Sequence, residues 1–418
     1  MSAVAGLRGT GNFATDERPK DFREMILWRR PNGTAPMTAL LSKANKSKVA
    51  DPEFNWWDET VDIIRLRVNK SGDYGVGDTT IVVDSSDPDT TTPNAVWGLA
   101  THLVEGDVLQ VEPASSATEV AGYTNELILV TGVNSATEFT VQRGFAGTTA
   151  AAIVNDQFLL HIGSAFGEGR NEADATSRNP TKYTNYCQIF KTGYSVTKTA
   201  TRVTNYRTGD VLKNEKMRRS SDHSKSLEHA LMWGIGSEGT DPVNGKILRT
   251  SKGLRSFIPS VNTTIFATPV TVANFLTAAS VVFDYESPSG DERIVFGGNK
   301  ALNKLNSVIK ADTNSRINFN EKITVYGMKL NSMVLPQGTL YFKSHPLMNR
   351  HAIYSDSLFI VDFAALRWRH TKGGDTFFED NIQNKGEDQI KGQWYTEGGL
   401  EVFYGGLTCA YIGNVSST

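Results

Sequence analysis

The stretch YTNYCQIFKTGYSVTKTATRVTNYRTGDVLKNEKMRRSSDHSKSLEHALMWGIG, residues 183–236, decides the fold. Its first part, Tyr183 to Tyr206, sets Ile189, Tyr194, Val196 and Val203 among Lys and Thr, as in a pleated, half-exposed ribbon. Thr208-Gly209-Asp210 makes a turn, and Asp210 is the expected N-cap of a helix running to Trp233. Leu227, Ala230, Leu231 and Trp233 recur at helical spacing, while the first half is crowded with Lys213, Lys216, Arg218 and Arg219. Gly234 and Gly236 stop the helix. A long ribbon beside a long, narrowly apolar helix closes no core by itself. It suits a subunit whose missing contacts come from copies of itself.

With 418 residues the chain exceeds a typical domain, so two or more folding units are expected. Lys and Arg number 43 against 45 Asp and Glu, a net charge of -2, which argues against binding nucleic acid through the whole surface. Cys187 and Cys409 imply no disulfide framework and read as free thiols in a reducing cell. No apolar run approaches the roughly 18 residues of a membrane-spanning helix. Met1 to Thr15 lacks the apolar core of a secretion signal.

Outward from the central stretch, residues 1 to about 55 read as an arm, with short helices over Asp21–Arg30 and around Leu40-Leu41. The adjacent Trp56 and Trp57 want a packing partner, as core or interface anchors. Val61 to Val68 alternates as a strand, and if it pairs with 183–206 the segment between them is an insertion at the tip of a long hairpin. Between Ser71 and Gly163 short strands recur at 80–83, 107–111, 126–130, 139–141 and 158–160, separated by Gly, Pro, Asn and Asp. That pattern predicts a small antiparallel β domain or barrel inserted at the tip of the ribbon. After the helix, Thr268-Pro269 should open a second helix with the stripe Val272, Phe275, Leu276, Ala279, Val282 and Phe283. A strand at 293–296 and a helix over Lys300–Ile309 follow, then two strands within 323–343, strands at 358–362 and 364–368, a polar loop, and strands at 400–404 and 407–412. The order argues for an α+β layer.

The chemistry-bearing motifs dissolve on inspection. Gly234-Ile235-Gly236-Ser237-Glu238-Gly239 follows a helix rather than a strand, so it is no dinucleotide fingerprint. Gly239 to Lys246 has Ile247 where a P-loop needs Ser or Thr, and reads as a turn. None of the seven histidines has the paired spacing of a zinc hydrolase; His345 precedes a proline in a loop and is read as surface or packing. Cys187 lies in a strand with no nearby histidine. Glu379-Asp380 and Glu387-Asp388 read as solvated loop charges, and Asp84, Asp87 and Asp89 fit no calcium-loop signature. No catalytic, cofactor-binding or metal-binding residue is assigned, and no cofactor is expected.

The order of several short motifs resembles the major capsid proteins of tailed bacteriophages with the Hong Kong 97-type fold, most closely the SU-ten major head protein family. They are Asp21–Ile26, Thr34-Ala35-Pro36-Met37, Phe54–Asp58, Val130–Asn134, Val141–Ala151, Asn185–Thr192, Lys225–Gly236, Tyr326-Gly327-Met328, Gly338-Thr339-Leu340 and His345-Pro346-Leu347. Together they run over nearly the whole chain.

The resemblance implies an N-terminal arm over 1–55, an extended loop ribbon from 56–70 and 164–207, and an inserted β domain over 71–163. It implies a spine helix and peripheral domain over 208–260, an axial domain with returning strands over 261–375, and a C-terminal loop and core strands over 376–418. It implies a non-enzymatic shell protein assembled in a bacterial cytoplasm into pentamers and hexamers of a virion. Its partners would be itself, packaged double-stranded DNA on the inner face without sequence specificity, scaffold, portal and decoration proteins, and no membrane. Trp56, Trp57, Lys213, Lys216, Arg218 and Arg219 are the candidate subunit contacts. A β-rich adhesin or decoration protein, or a hydrolase whose residues meet only in space, are the alternative classes.

Overall fold

A computed structural model describes residues 35–41, 46–59, 64–85, 98–113, 126–172, 174–176, 180–202, 210–311, 322–325 and 328–416. The expected helix over Asp21–Arg30 lies outside them.

The chain opens with the short helix α1 (Pro36–Leu41), then β1 (Lys46–Val49) and β2 (Glu53–Asp58). Six strands follow: β3 (Arg65–Arg67), β4 (Thr80–Val82), β5 (Asp107–Val111), β6 (Leu127–Val133), β7 (Glu138–Phe145) and β8 (Phe158–Ser164). They form an antiparallel sheet in the order β3-β8-β5-β6-β7-β4. A bridge between Val68 and Val83, with Asn69 N donating to Val82 O and Asp84 N to Arg67 O, joins its two edges. The sheet is therefore a closed barrel with no free edge to pair with other chains. Alternate residues point inward: Leu66 and Val68, Ile81 and Val83, Leu109 and Val111, Ile128 and Val130, Phe139 and Val141 make a separate core.

This closure corrects one expected pairing. The strand near 61–68 pairs with 158–160, not with 183–206. The ribbon's partner is instead β2, paired antiparallel with β9 (Thr181–Tyr186), Trp56 opposite Tyr183. The single long strand expected over 183–206 is also interrupted. Cys187 N turns aside to Pro52 O, and the chain resumes as β10 (Gln188–Thr197) and a short helix α2 (Lys198–Arg202).

The spine helix α3 (Val211–Trp233) starts at Asp210, whose carboxylate accepts from Lys213 N, and ends at Gly234. A hairpin, β11 (Ser237–Thr240) and β12 (Ile247–Thr250), and the short α4 (Leu254–Phe257) come next. The third part holds β13 (Thr263–Ile265), α5 (Val272–Ser280), β14 (Glu292–Gly297), α6 (Asn299–Ala311), β15 (Lys322–Val325), β16 (Met328–Val334), β17 (Thr339–Ser344) and β18 (Leu358–Val361). The cap of α5 is Thr271, which accepts from Asn274 N, rather than Thr268. Residues 323–343 give three strands instead of two.

The chain finishes with β19 (Leu366–Thr371), β20 (Phe377–Asp380), β21 (Gln389–Val402) and β22 (Ala410–Gly413). The expected polar loop before Leu400 is thus largely strand. β21 pairs with β10 over ten residues, from Gln188–Gly398 to Thr197–Gln389, and with β19 and β20. Glu379 and Asp380 accordingly stand in a strand, not in a solvated loop.

The seven-stranded sheet β13-β22-β18-β14-β17-β16-β15 is covered on both faces. Ile294, Phe296, Phe359, Val361 and Tyr411 pack with the C-terminal half of α3. Val295, Leu358, Ile360, Ala410 and Ile412 pack with α5 and α6. Burial on both sides explains the unbroken apolar runs Ile294-Val295-Phe296 and Leu358–Val361 in the sequence.

Candidate subunit-contact surfaces

Alternation along β2 decides the fates of the two tryptophans. Trp56 faces inward. Its Nε1 donates to Val402 O at 3.1 Å, and its ring lies against Phe54, Tyr183 and Phe257 with centroids 6.0, 5.9 and 5.7 Å away. Trp57 faces outward and is 59% exposed. Trp56 is therefore occupied within the subunit, and Trp57 is the one that presents an aromatic surface.

The spine helix divides at His223. Beyond it, Leu227, Leu231 and Met232 are buried in the central core and Ala230 packs beside them. Before it, the helix lies along β10 and the end of β20. Lys216 Nζ is 2.7 Å from Asp380 Oδ2 and sits over the Phe378 ring at 4.8 Å. Arg218 pairs with Glu215 at 2.6 Å and Arg219 with Asp222 at 3.6 Å, both within the helix. Lys213 is exposed. So Lys216 joins two elements of one subunit, while Lys213, Met217 and Arg218 are exposed and Arg219 is half-buried.

Other large apolar residues stand out on thin elements. Ile189 on β10 is 53% exposed. The hairpin β11–β12 and its flank expose Ile235, Val243, Ile247 and Leu248.

Buried polar groups are held inside the body. His223 is buried, with Nδ1 3.0 Å from Thr192 Oγ1 and Nε2 2.8 Å from Thr396 Oγ1; burial pushes its pKa below the usual imidazole value. His345, read from sequence as a surface or packing residue in a loop, is fully buried, and its Nε2 lies 2.8 Å from Glu228 Oε1. Glu228, also fully buried, accepts from Met37 N at 2.8 Å and from Thr38 N and Oγ1 at 2.7 and 2.6 Å. Both cysteines are buried, and burial pushes both thiols up to about 12, far from thiolate reactivity. Asp84 is bonded to Arg67, and among the described residues no group of three or more His, Cys, Asp or Glu side chains is placed to hold a metal. Asp87 and Asp89 lie outside the described residues.

Charge is unevenly divided along the chain. Residues 71–163 carry twelve Asp and Glu and one basic residue, Arg143, a net of -11; the rest of the chain carries a net of +9. The near-neutral total conceals this division, and a charge count by segment would have revealed it.

The model of the family described as SU10 major capsid protein matches residues 7–414. The chain belongs to that family. It is a capsid subunit of a bacteriophage virion, a protein that associates with itself into a shell. It is 26% identical over 417 residues to the major capsid protein of Pseudomonas phage PaMx41, covering 98% of this chain and 92% of that one. Among solved structures it is similar to a chain of Mycobacterium phage Bobi, with 8% identity, 95% of each chain covered and a TM-score of 0.42. It is also similar to one from the capsid of a native GTA particle, with 9% identity, 97% of each chain covered and a TM-score of 0.42. No helix among the described residues is long and apolar enough to cross a membrane.

Proposed function

We propose that this capsid subunit joins its neighbours in pentamers and hexamers through its thin elements and works without catalysis. The observation that carries the reading is the exposure of large apolar side chains that join none of the cores among the described residues: Trp57 on the β2–β9 ribbon, Ile189 on β10, and Ile247 and Leu248 on the β11–β12 hairpin. An exposed apolar group on a two-stranded ribbon gains most when a second surface covers it. In the Hong Kong 97-type scheme, α1 and β1 belong to the N-terminal arm, β2 and β9 to the extended ribbon, and α3 to the spine. The seven-stranded sheet with α5 and α6 then serves as the axial domain. Lys213, Arg218 and Arg219 are assigned to neighbour contacts or to the genome.

The charge division supports an orientation. A barrel segment whose residues 71–163 carry a net of -11 is repelled by packaged DNA and belongs on the outer side, leaving the basic remainder to face the genome without sequence specificity. Scaffold, portal and decoration proteins are further partners in this reading. A photo-crosslinking residue at position 57 tests the contact. Assembled particles should give a crosslinked dimer that the unassembled subunit does not. Efficient crosslinking only to solvent or within the chain in assembled particles would overturn it.

A further inference from the structure

Three of the short motifs picked out in the sequence meet at one point. Thr34-Ala35-Pro36-Met37 leads into α1, Lys225–Gly236 ends α3, and His345-Pro346-Leu347 follows β17. Their meeting point is the Glu228 carboxylate. Oε1 takes Met37 N and His345 Nε2, and Oε2 takes Thr38 N and Thr38 Oγ1. His345 Nδ1 accepts from Met348 N at 3.3 Å, which leaves the ring proton on Nε2, aimed at Glu228. The carboxylate thus has donors on both oxygens, two on each.

The arrangement supplies what α1 lacks. A helix of six residues does not persist in water unaided. Ala35 before it has no side-chain acceptor, and Pro36 has no N–H. The first unsatisfied donors are therefore Met37 N and Thr38 N, and both go to Glu228. Met37 and Leu41 bury their side chains against Leu227 and Leu231. A half-open pocket of about 60 Å³ adjoins the seat, with Leu41, Leu227, Leu231 and Trp368 on its apolar side and Thr38, Lys46, Asp375 and Thr376 on its polar side. α1 is therefore attached to the body by a hydrogen-bonded cap from outside itself and by two apolar anchors beside a half-open pocket.

We propose that Glu228, held by His345, is the body's binding site for the N-terminal segment, and that its occupant is residues 36–41 of this chain. One buried acid then decides whether residues 36–41 are seated, while the arm's β1 stays paired in parallel with β19. The inference concerns the unassembled subunit and stands apart from the neighbour contacts above.

Hydrogen exchange on the full-length unassembled chain tests it. In Glu228→Gln the amide nitrogen faces donors, and exchange across 35–41 should rise about tenfold while residues 227–233 keep their protection. Unchanged exchange over 35–41 in a folded Glu228→Gln chain would overturn the proposal. Should that variant lose protection throughout the body, Thr38→Val decides, because it removes one donor and leaves the acid in place. Faster exchange confined to 35–41 in Thr38→Val supports the site, and unchanged exchange there contradicts it.

Discussion

Lys216, in the first half of α3, donates to Asp380 across 2.7 Å and so ties the spine helix to β20 of the same subunit. Asp380 also accepts from Tyr194 Oη at 2.7 Å. The Lys216 hydrogen bond, with that of Tyr194, holds the Asp380 carboxyl below its ordinary value. Both charged groups are about a third exposed, so screening limits the contribution. Lys216→Ala should lower stability by about 0.2–1 kcal/mol, read as a small drop in melting temperature that shrinks further at high salt. A large loss would mean that this half of the helix is far more tightly bound to the sheet.

Leu231→Ala should behave differently. Leu231 is 5% exposed and borders the pocket beside α1, so truncation leaves unfilled space in the core next to it. The expected cost is about 2–5 kcal/mol by chemical unfolding of the subunit.

The contrast between these two positions shows what the sequence made legible. Asp210, the stripe Leu227-Ala230-Leu231 and Gly234 are local signals, and they gave the helix its limits to within a residue. Trp56 and Trp57 were visible as anchors, but only the pairing of β2 with β9 tells which one faces in. Glu228, beside the stripe, looked like any helix acid, since its partners lie 191 and 117 residues away. β21 runs through Gly392, Gly398 and Gly399 with Lys and Gln, a composition that reads as loop. It is a strand because β10 and β19 flank it, a long-range cause that no window of sequence contains.

The barrel depends on a buried ion pair. Glu126 accepts from Arg143 Nε at 2.7 Å and from Ala151 N at 2.9 Å, with the two side chains 1% and 5% exposed. Burial alone would raise the Glu126 carboxyl, but the Arg143 hydrogen bond and the backbone donors pull it below its ordinary value. Glu126→Gln leaves the guanidinium buried without its counter-charge and should cost about 3–5 kcal/mol. Proteolysis should become faster within 71–163 and stay unchanged over α3.

His223 sets a pH dependence. Its folded pKa lies below 6.5 because burial disfavours the charged ring, so the unfolded chain takes up the proton first. Stability from this group is complete above about pH 6.5 and falls as the pH drops from there towards the folded value. His229 is shifted downward as well, by burial first, and adds to the same slope. Urea midpoints measured from pH 7.5 to 5.5 should decline, and His223→Gln should flatten the decline. An equal slope in that variant would contradict the assignment.

Electron microscopy of the purified, assembled chain tests the central claim most directly, that this subunit builds a closed shell of its own copies. The account predicts closed particles of uniform diameter containing many subunits. A single species of one-subunit mass, 45.8 kDa, persisting across protein concentration and salt, would contradict it.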